Sequence, residues 1–213
     1  MDNNKLFKNN YRITTARHKA WDYSNAGVYF VTICTRDFIS YFGEIKNGQM
    51  ILSTIGQIAK KYWQEIPKHF PDVGLDEYII MPNHLHGIIV IKENENKILG
   101  KMQLTEVKNK DTFRRDEACL ISTMKKPTNK EILRKRISPQ PRSLAVIVGS
   151  FKSITTKKVR ELTDNTNLNI WQPRFYDHII WHENELNNIR SYVRNNPLKW
   201  DLDRNNLENI KNV

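Results

Sequence analysis

Two histidines one residue apart sit in the segment Tyr78-Ile79-Ile80-Met81-Pro82-Asn83-His84-Leu85-His86-Gly87-Ile88-Ile89-Val90. In an extended strand, side chains at i and i+2 project to the same face. His84 and His86 therefore point together, while Leu85 turns into the opposite layer. Two imidazoles side by side, followed by a glycine that leaves room, suit a divalent-metal site. The apolar runs on either side strengthen this reading, because two polar rings are badly placed in a buried sheet without partners. A purely structural histidine pair remains the competing reading on spacing alone.

A second constellation lies near the C-terminus, Asn187-Asn188-Ile189-Arg190-Ser191-Tyr192-Val193-Arg194-Asn195-Asn196-Pro197. On a helix, Tyr192 and Asn196 are four apart and share a face. Leu186, Ile189 and Val193 form the stripe that holds the helix down, with Tyr192 at its edge. Taken by themselves, Tyr192 reads as a core-edge tyrosine with its hydroxyl in water, and Asn196 as a helix C-cap before proline. Tyr176, in Arg174-Phe175-Tyr176-Asp177-His178, reads as an aromatic in the sheet. His178 and His182 have no common-face relation to the first pair and read as packing or surface residues.

The elements that must position these groups are legible in outline. Gly27–Thr35 is β-branched and aromatic and predicts a buried strand. Asn47-Gly48 between Tyr41–Ile45 and Met50–Leu52 predicts a hairpin. Ser53 or Thr54 caps a helix with Ile55, Ile58, Ala59, Tyr62, Trp63 and Ile66 on its apolar face, ending at Pro67. Strands follow at Leu75–Ile80 and His84–Ile91. Leu144, Ile147, Val148, Phe151 and Ile154 recur at helical spacing, and Asn184–Asn195 is a last helix stopped by Pro197. The expected architecture is α+β, a single ferredoxin-like domain with an antiparallel sheet and helices packed on one face, interrupted by a polar insertion.

The chain has 213 residues, 39% of them hydrophobic and 27% charged, which is the composition of a globular protein. No run approaches the length of a membrane span and no signal peptide is visible, so a cytoplasmic, nucleoid-associated protein is expected. Cys34 and Cys119 are too few for a disulfide framework. Lys and Arg number 34 against 23 Asp and Glu, a net charge of +11. Residues 1–20 carry +4 of it and residues 92–142 carry +7, so the rest is neutral. The domain reading is a basic N-terminal arm (1–20), a core domain (21–200) holding a basic flexible insertion (92–142), and a C-terminal tail (201–213). The surplus charge suits nonspecific attraction to a polyanion.

Together, Tyr29-Phe30-Val31-Thr32, Met81-Pro82-Asn83-His84-Leu85-His86-Gly87, Phe151-Lys152-Ser153, Trp171-Gln172-Pro173-Arg174-Phe175-Tyr176 and Tyr192-Val193-Arg194-Asn195-Asn196-Pro197 resemble the IS200-like family of tyrosine transposases. The resemblance is closest to the branch associated with repetitive extragenic palindromes. It spans about residues 12–200 and leaves the insertion unmatched. It implies that His84 and His86 bind a divalent metal, Mg²⁺ or Mn²⁺, and that Tyr192 attacks a DNA phosphate to give a 5′-phosphotyrosine link and a free 3′-OH. Asn196 stands where insertion-sequence members often carry a metal-binding Gln. The implied substrate is single-stranded or hairpin DNA, with a homodimer as one arrangement for two-ended strand transfer. Lys152, Lys157, Lys158 and Arg174 are the candidate nucleic-acid contacts. Trp171, Phe175 and Trp200 are candidates to stack on bases, against core packing. The alternatives are a domesticated DNA- or RNA-binding protein that has lost cleavage, and a metal phosphoesterase without covalent catalysis.

Overall fold

A computed structural model describes residues 22–93 and 141–210. The basic arm 1–20, and all of the 92–142 insertion except its two ends, lie outside the described residues. The core is a four-stranded antiparallel sheet. Its strands are β1 (Gly27–Cys34), β4 (Val73–Met81), β5 (His84–Ile91) and β6 (Tyr176–Ile180), in the order β4-β5-β1-β6. With α1 (Thr54–Gln64) after β1 and α3 (Leu144–Thr163) after β5, this is the βαββαβ order of a ferredoxin-like domain. The hairpin β2 (Gly43–Lys46) and β3 (Gln49–Leu52) is inserted before α1. Its turn residues Asn47 and Gly48 both take positive φ, as a two-residue hairpin turn requires.

The expected antiparallel sheet is present, with α1 and α3 packed together on one face. α1 and α3 cover the face onto which Tyr29, Val31, Ile33, Leu85 and Ile89 project, and Trp63, Phe151 and Trp171 fill that layer. Ser53 caps α1 by accepting from the Gly56 N–H. Pro67, expected to end that helix, instead opens the short α2 (Ile66–His69). A proline at the first turn has no intrahelical partner to lose there. The opposite face carries α4 (Glu183–Asn195), held by Phe30, Ile88, Ile180, Leu186 and Val193. The chain then runs through a 3₁₀ turn (Pro197–Leu202) to a last short helix, α5 (Leu207–Ile210). No helix among the described residues is long and apolar enough to cross a membrane.

Two local features depart from the sequence-based expectation. Gly87 does not make room beside the imidazoles. A Cβ there would lie 2.3 Å from the Trp63 ring, on the other face of the sheet. Its role is to let β5 pass over the indole. Gly87→Ala is accordingly expected to destabilise the fold by about 1–3 kcal/mol through overpacking, read as a fall in melting temperature. The second feature is a register shift in β4 between Leu75 and Tyr78. Leu75 and Tyr78 both pack against the first core layer although they are three apart, and the extra residue directs Asp76 and Glu77 toward α4.

Candidate metal and tyrosine site

His84 and His86 lie on β5 with Ile88, on the face that α4 crosses, and are 0% and 1% exposed. Their orientation is set by their neighbours. The Asn83 amide nitrogen donates to the backbone oxygens of Phe38 (3.0 Å) and Asn205 (2.7 Å), which leaves its Oδ1 facing His84 Nδ1 at 2.9 Å. His84 Nδ1 is therefore the donor, and Nε2 of the neutral ring carries a lone pair. Thr32 stands directly across from His86 on β1 and meets its Nδ1 at 2.9 Å. Both Nε2 atoms then converge, 3.0 Å apart. The Asp203 carboxylate lies 3.7 Å from His84 Nε2.

Burial holds the pKa of both rings down, well below the usual value for His84 and to about 3 for His86; the His86 and Arg204 charges add to the effect at His84, and Arg204 at His86. Both imidazoles are thus neutral at neutral pH, the state in which they bind metal. His84, His86 and Asp203 form the metal-capable cluster found among the described residues, with ligand atoms within 4.8 Å of one another. Two nitrogens and a carboxylate oxygen, with the outer nitrogens fixed by Asn83 and Thr32, are a donor set that fits a divalent ion.

α4 brings Tyr192 to the same point. Its hydroxyl is 3.3 Å from His86 Nε2, and its ring packs against Phe30 and His86. Tyr192 is 45% exposed, so a substrate can reach it. Burial of the hydroxyl and the Asp203 charge raise its pKa, while the Asn196 side chain and Arg204 pull it down. Asn196 Oδ1 is buried and has no hydrogen-bond partner. Asn196 also caps α4 through its backbone N–H, which donates to the Val193 oxygen, as its place before Pro197 predicts.

Asp76 and Glu77, exposed by the β4 bulge, grip α4 on either side of Tyr192. Asp76 takes Arg190 in a fork of 2.9 and 2.6 Å, and Arg194 reaches Glu77 at 3.0 Å. Arg190 holds the Asp76 carboxyl below its usual pKa. A depressed carboxyl contributes stability above its unfolded value that is lost as pH falls through its folded value. Asp76→Asn should therefore lower the melting temperature at pH 7, and the gap to wild type should close as pH falls below about 4.

The other candidates fall in distinct places. Lys152, Lys157 and Arg174 line a groove between α3 and the 164–176 segment. The Lys152 ammonium is tied to the Gln172 and Arg174 carbonyls, and burial lowers its pKa to about 8. Lys158 does not line the groove and pairs with Glu161 at 2.6 Å. Tyr176 starts β6, across β1 from the imidazole row, and meets Phe30 edge-on without reaching either imidazole. His178 pairs with Glu185, which matches its reading as a surface residue. Trp171 is core, and the Trp200 ring stacks over His84 at 6.1 Å. Asp203 escaped the sequence reading. It lies in the segment read as a tail, in a polar stretch without periodicity. Its only signal was an acidic residue shortly after the Tyr192 helix.

No family model matches the chain. It is 35% identical over 191 residues to an uncharacterized protein of Haemophilus influenzae, covering 88% of this chain and 89% of that one. The chain belongs to the family of that protein. Among solved structures, it aligns with a REP-associated tyrosine transposase bound to a REP hairpin at a TM-score of 0.45 and 16% identity. That alignment covers 88% of this chain and 74% of the other. It also aligns with a Deinococcus radiodurans protein assigned as a transposase, at a TM-score of 0.38 and 10% identity, over 85% and 97% of the two chains.

Proposed function

We propose that this protein is a metal-dependent, single-strand DNA endonuclease and strand transferase of the IS200-like tyrosine type, acting on hairpin or palindromic DNA. The observation that supports it most is the Tyr192 hydroxyl 3.3 Å from His86 Nε2, beside the His84, His86 and Asp203 cluster. The hairpin substrate rests on the motif resemblance.

In this reading His84, His86 and Asp203 hold the ion, and Asn196, whose buried Oδ1 has no hydrogen-bond partner among the described residues, is a further ligand. A divalent metal held by these residues would supply a positive charge that polarises the scissile phosphate. Tyr192 supplies the nucleophile, held by the Phe30 and His86 rings. Its oxygen bonds to phosphorus as the bond from phosphorus to the 3′ oxygen breaks. The hydroxyl proton passes to solvent at the half-exposed Tyr192 and the leaving 3′ oxygen takes one from solvent, so one phosphodiester replaces another and the step needs no nucleotide triphosphate. Asn83 and Thr32 hold the two rings with both Nε2 atoms turned inward.

The test is incubation of the full chain with a labelled hairpin oligonucleotide and Mg²⁺ or Mn²⁺. Metal-dependent cleavage, abolished by a chelator, is expected. Tyr176→Phe should still form the covalent adduct, because Tyr176 does not reach the imidazoles. Binding without cleavage in either metal would instead favour a DNA-binding protein that has lost the reaction.

A further inference from the structure

We propose that Arg204 binds the scissile phosphate, at the inner end of a basic groove that carries the single strand to the imidazole pair. The proposal rests on the strand-transfer reading above and names the residue that receives the anion there.

The groove has a volume of about 1460 Å³ and runs between α3, the 164–176 segment and residues 204–205. Its cationic lining is Lys152, Lys157, Arg160, Arg174 and Arg204, against Glu161, Asp164 and Asp177. Much of that charge is already engaged. The Lys152 ammonium sits on carbonyls, Arg160 donates to the Leu168 oxygen, and Glu161 holds Lys158. No carboxylate among the described residues forms an ion pair with Arg204. Thr32, whose hydroxyl touches His86 Nδ1, also lines the groove, so the groove reaches a residue in direct contact with the imidazole pair.

Arg204 is fixed on both sides. Asp203 is against His84 Nε2, and the Asn205 oxygen accepts from the Asn83 amide at 2.7 Å. The Asn205 N–H closes the turn onto Asp203 Oδ1 at 2.7 Å. Two buried anchors thus hold the backbone of an exposed arginine beside the reacting groups. A guanidinium offers a planar fork that matches two phosphate oxygens and stays charged at any working pH. Charge grows on those oxygens as phosphoryl transfer proceeds, so a preformed cation there favours the transition state over the ground state.

The experiment uses the full chain with Arg204→Ala and Arg204→Lys. Single-turnover cleavage of a hairpin oligonucleotide is measured at saturating Mn²⁺, with Mn²⁺ affinity and melting temperature as controls. Arg204→Ala should cleave about 100-fold or more slowly at unchanged metal affinity. Arg204→Lys should recover part of the loss, since charge returns without the fork. In a Tyr192→Phe background, binding to the same oligonucleotide across salt concentrations should show the slope reduced by about 0.7 on removal of Arg204. Wild-type cleavage by Arg204→Ala overturns the proposal whatever the slope does. If the unmutated chain proves inert in cleavage, the strand-transfer reading fails, and the slope then decides for Arg204, with an unchanged slope overturning it.

Discussion

Tyr192→Phe is expected to remove the covalent protein–DNA adduct and to slow cleavage by roughly 10⁴-fold or more, while DNA and metal binding persist. The substitution deletes one oxygen and keeps the ring. The edge-on contact with Phe30, at 6.1 Å and 81°, and the contact with His86 at 5.3 Å are made by the ring and survive. α4 remains anchored through Leu186, Val193 and the Arg190–Asp76 fork. A fold defect therefore cannot account for the loss. The hydroxyl also has no substitute nearby. Tyr176 meets Phe30 edge-on, and no hydrogen bond or ring contact links it to either imidazole among the described residues. Cleavage that survives at the wild-type rate in Tyr192→Phe would mean water is the nucleophile and would replace covalent catalysis with simple phosphodiester hydrolysis.

The second large effect is on metal binding. His86→Ala should weaken Mn²⁺ binding by more than about 100-fold, since loss of a mere supporting partner already costs 10–100-fold at comparable sites. The physical ground is the pair of Nε2 atoms 3.0 Å apart, with an acid carboxylate alongside. Without a cation or a shared proton, lone pairs so disposed repel. A bound ion converts that repulsion into coordination. Mn²⁺ at 100 times its dissociation constant should therefore stabilise the wild-type fold by about 2.7 kcal/mol, visible as a rise in melting temperature. His86→Ala should abolish the rise. Asp203→Ala should weaken binding more than Asn196→Ala, because a carboxylate brings charge to the ion and an amide brings only a dipole. The reverse order would assign the third ligand to α4 instead of the C-terminal segment.

Much of this arrangement can be read from the chain alone. The spacing of His84 and His86 fixes their common face, and the observed strand His84–Ile91 has the expected bounds. Leu186 and Val193 give the buried stripe of α4, which turns Tyr192 toward the same face. The order of strands and helices follows from local patterning, because each strand and helix carries its own apolar period. Other parts depend on contacts between distant segments and leave no local mark. The bulge at Asp76 and Glu77 appears only when Leu75 and Tyr78 are both seen to need the same core layer. The reason for Gly87 is Trp63, which is 24 positions earlier in the chain and on the opposite face. Asp203 and Arg204 reach the site because the 3₁₀ turn at Pro197–Leu202 folds the chain back over the imidazoles, where the Asn83 amide holds Asn205. A polar stretch with no periodicity does not announce such a return. Lys152, Lys157 and Lys158 look equivalent in sequence. They separate once Gln172, the groove and Glu161 claim different partners.

The central claim is that Tyr192 takes the 5′ side of a DNA phosphate under control of a metal held by His84 and His86. The most direct measurement mixes the protein with Mn²⁺ and a hairpin oligonucleotide labelled at either its 3′ or its 5′ end. Denaturing gels and peptide mapping of the product follow. The account predicts a labelled protein adduct from the 3′-labelled strand alone, a shortened 5′-labelled strand ending in a 3′-OH, and the DNA on the peptide that contains Tyr192. An adduct carrying the 5′ label, DNA attached to Tyr176, or cleavage without any adduct would contradict it.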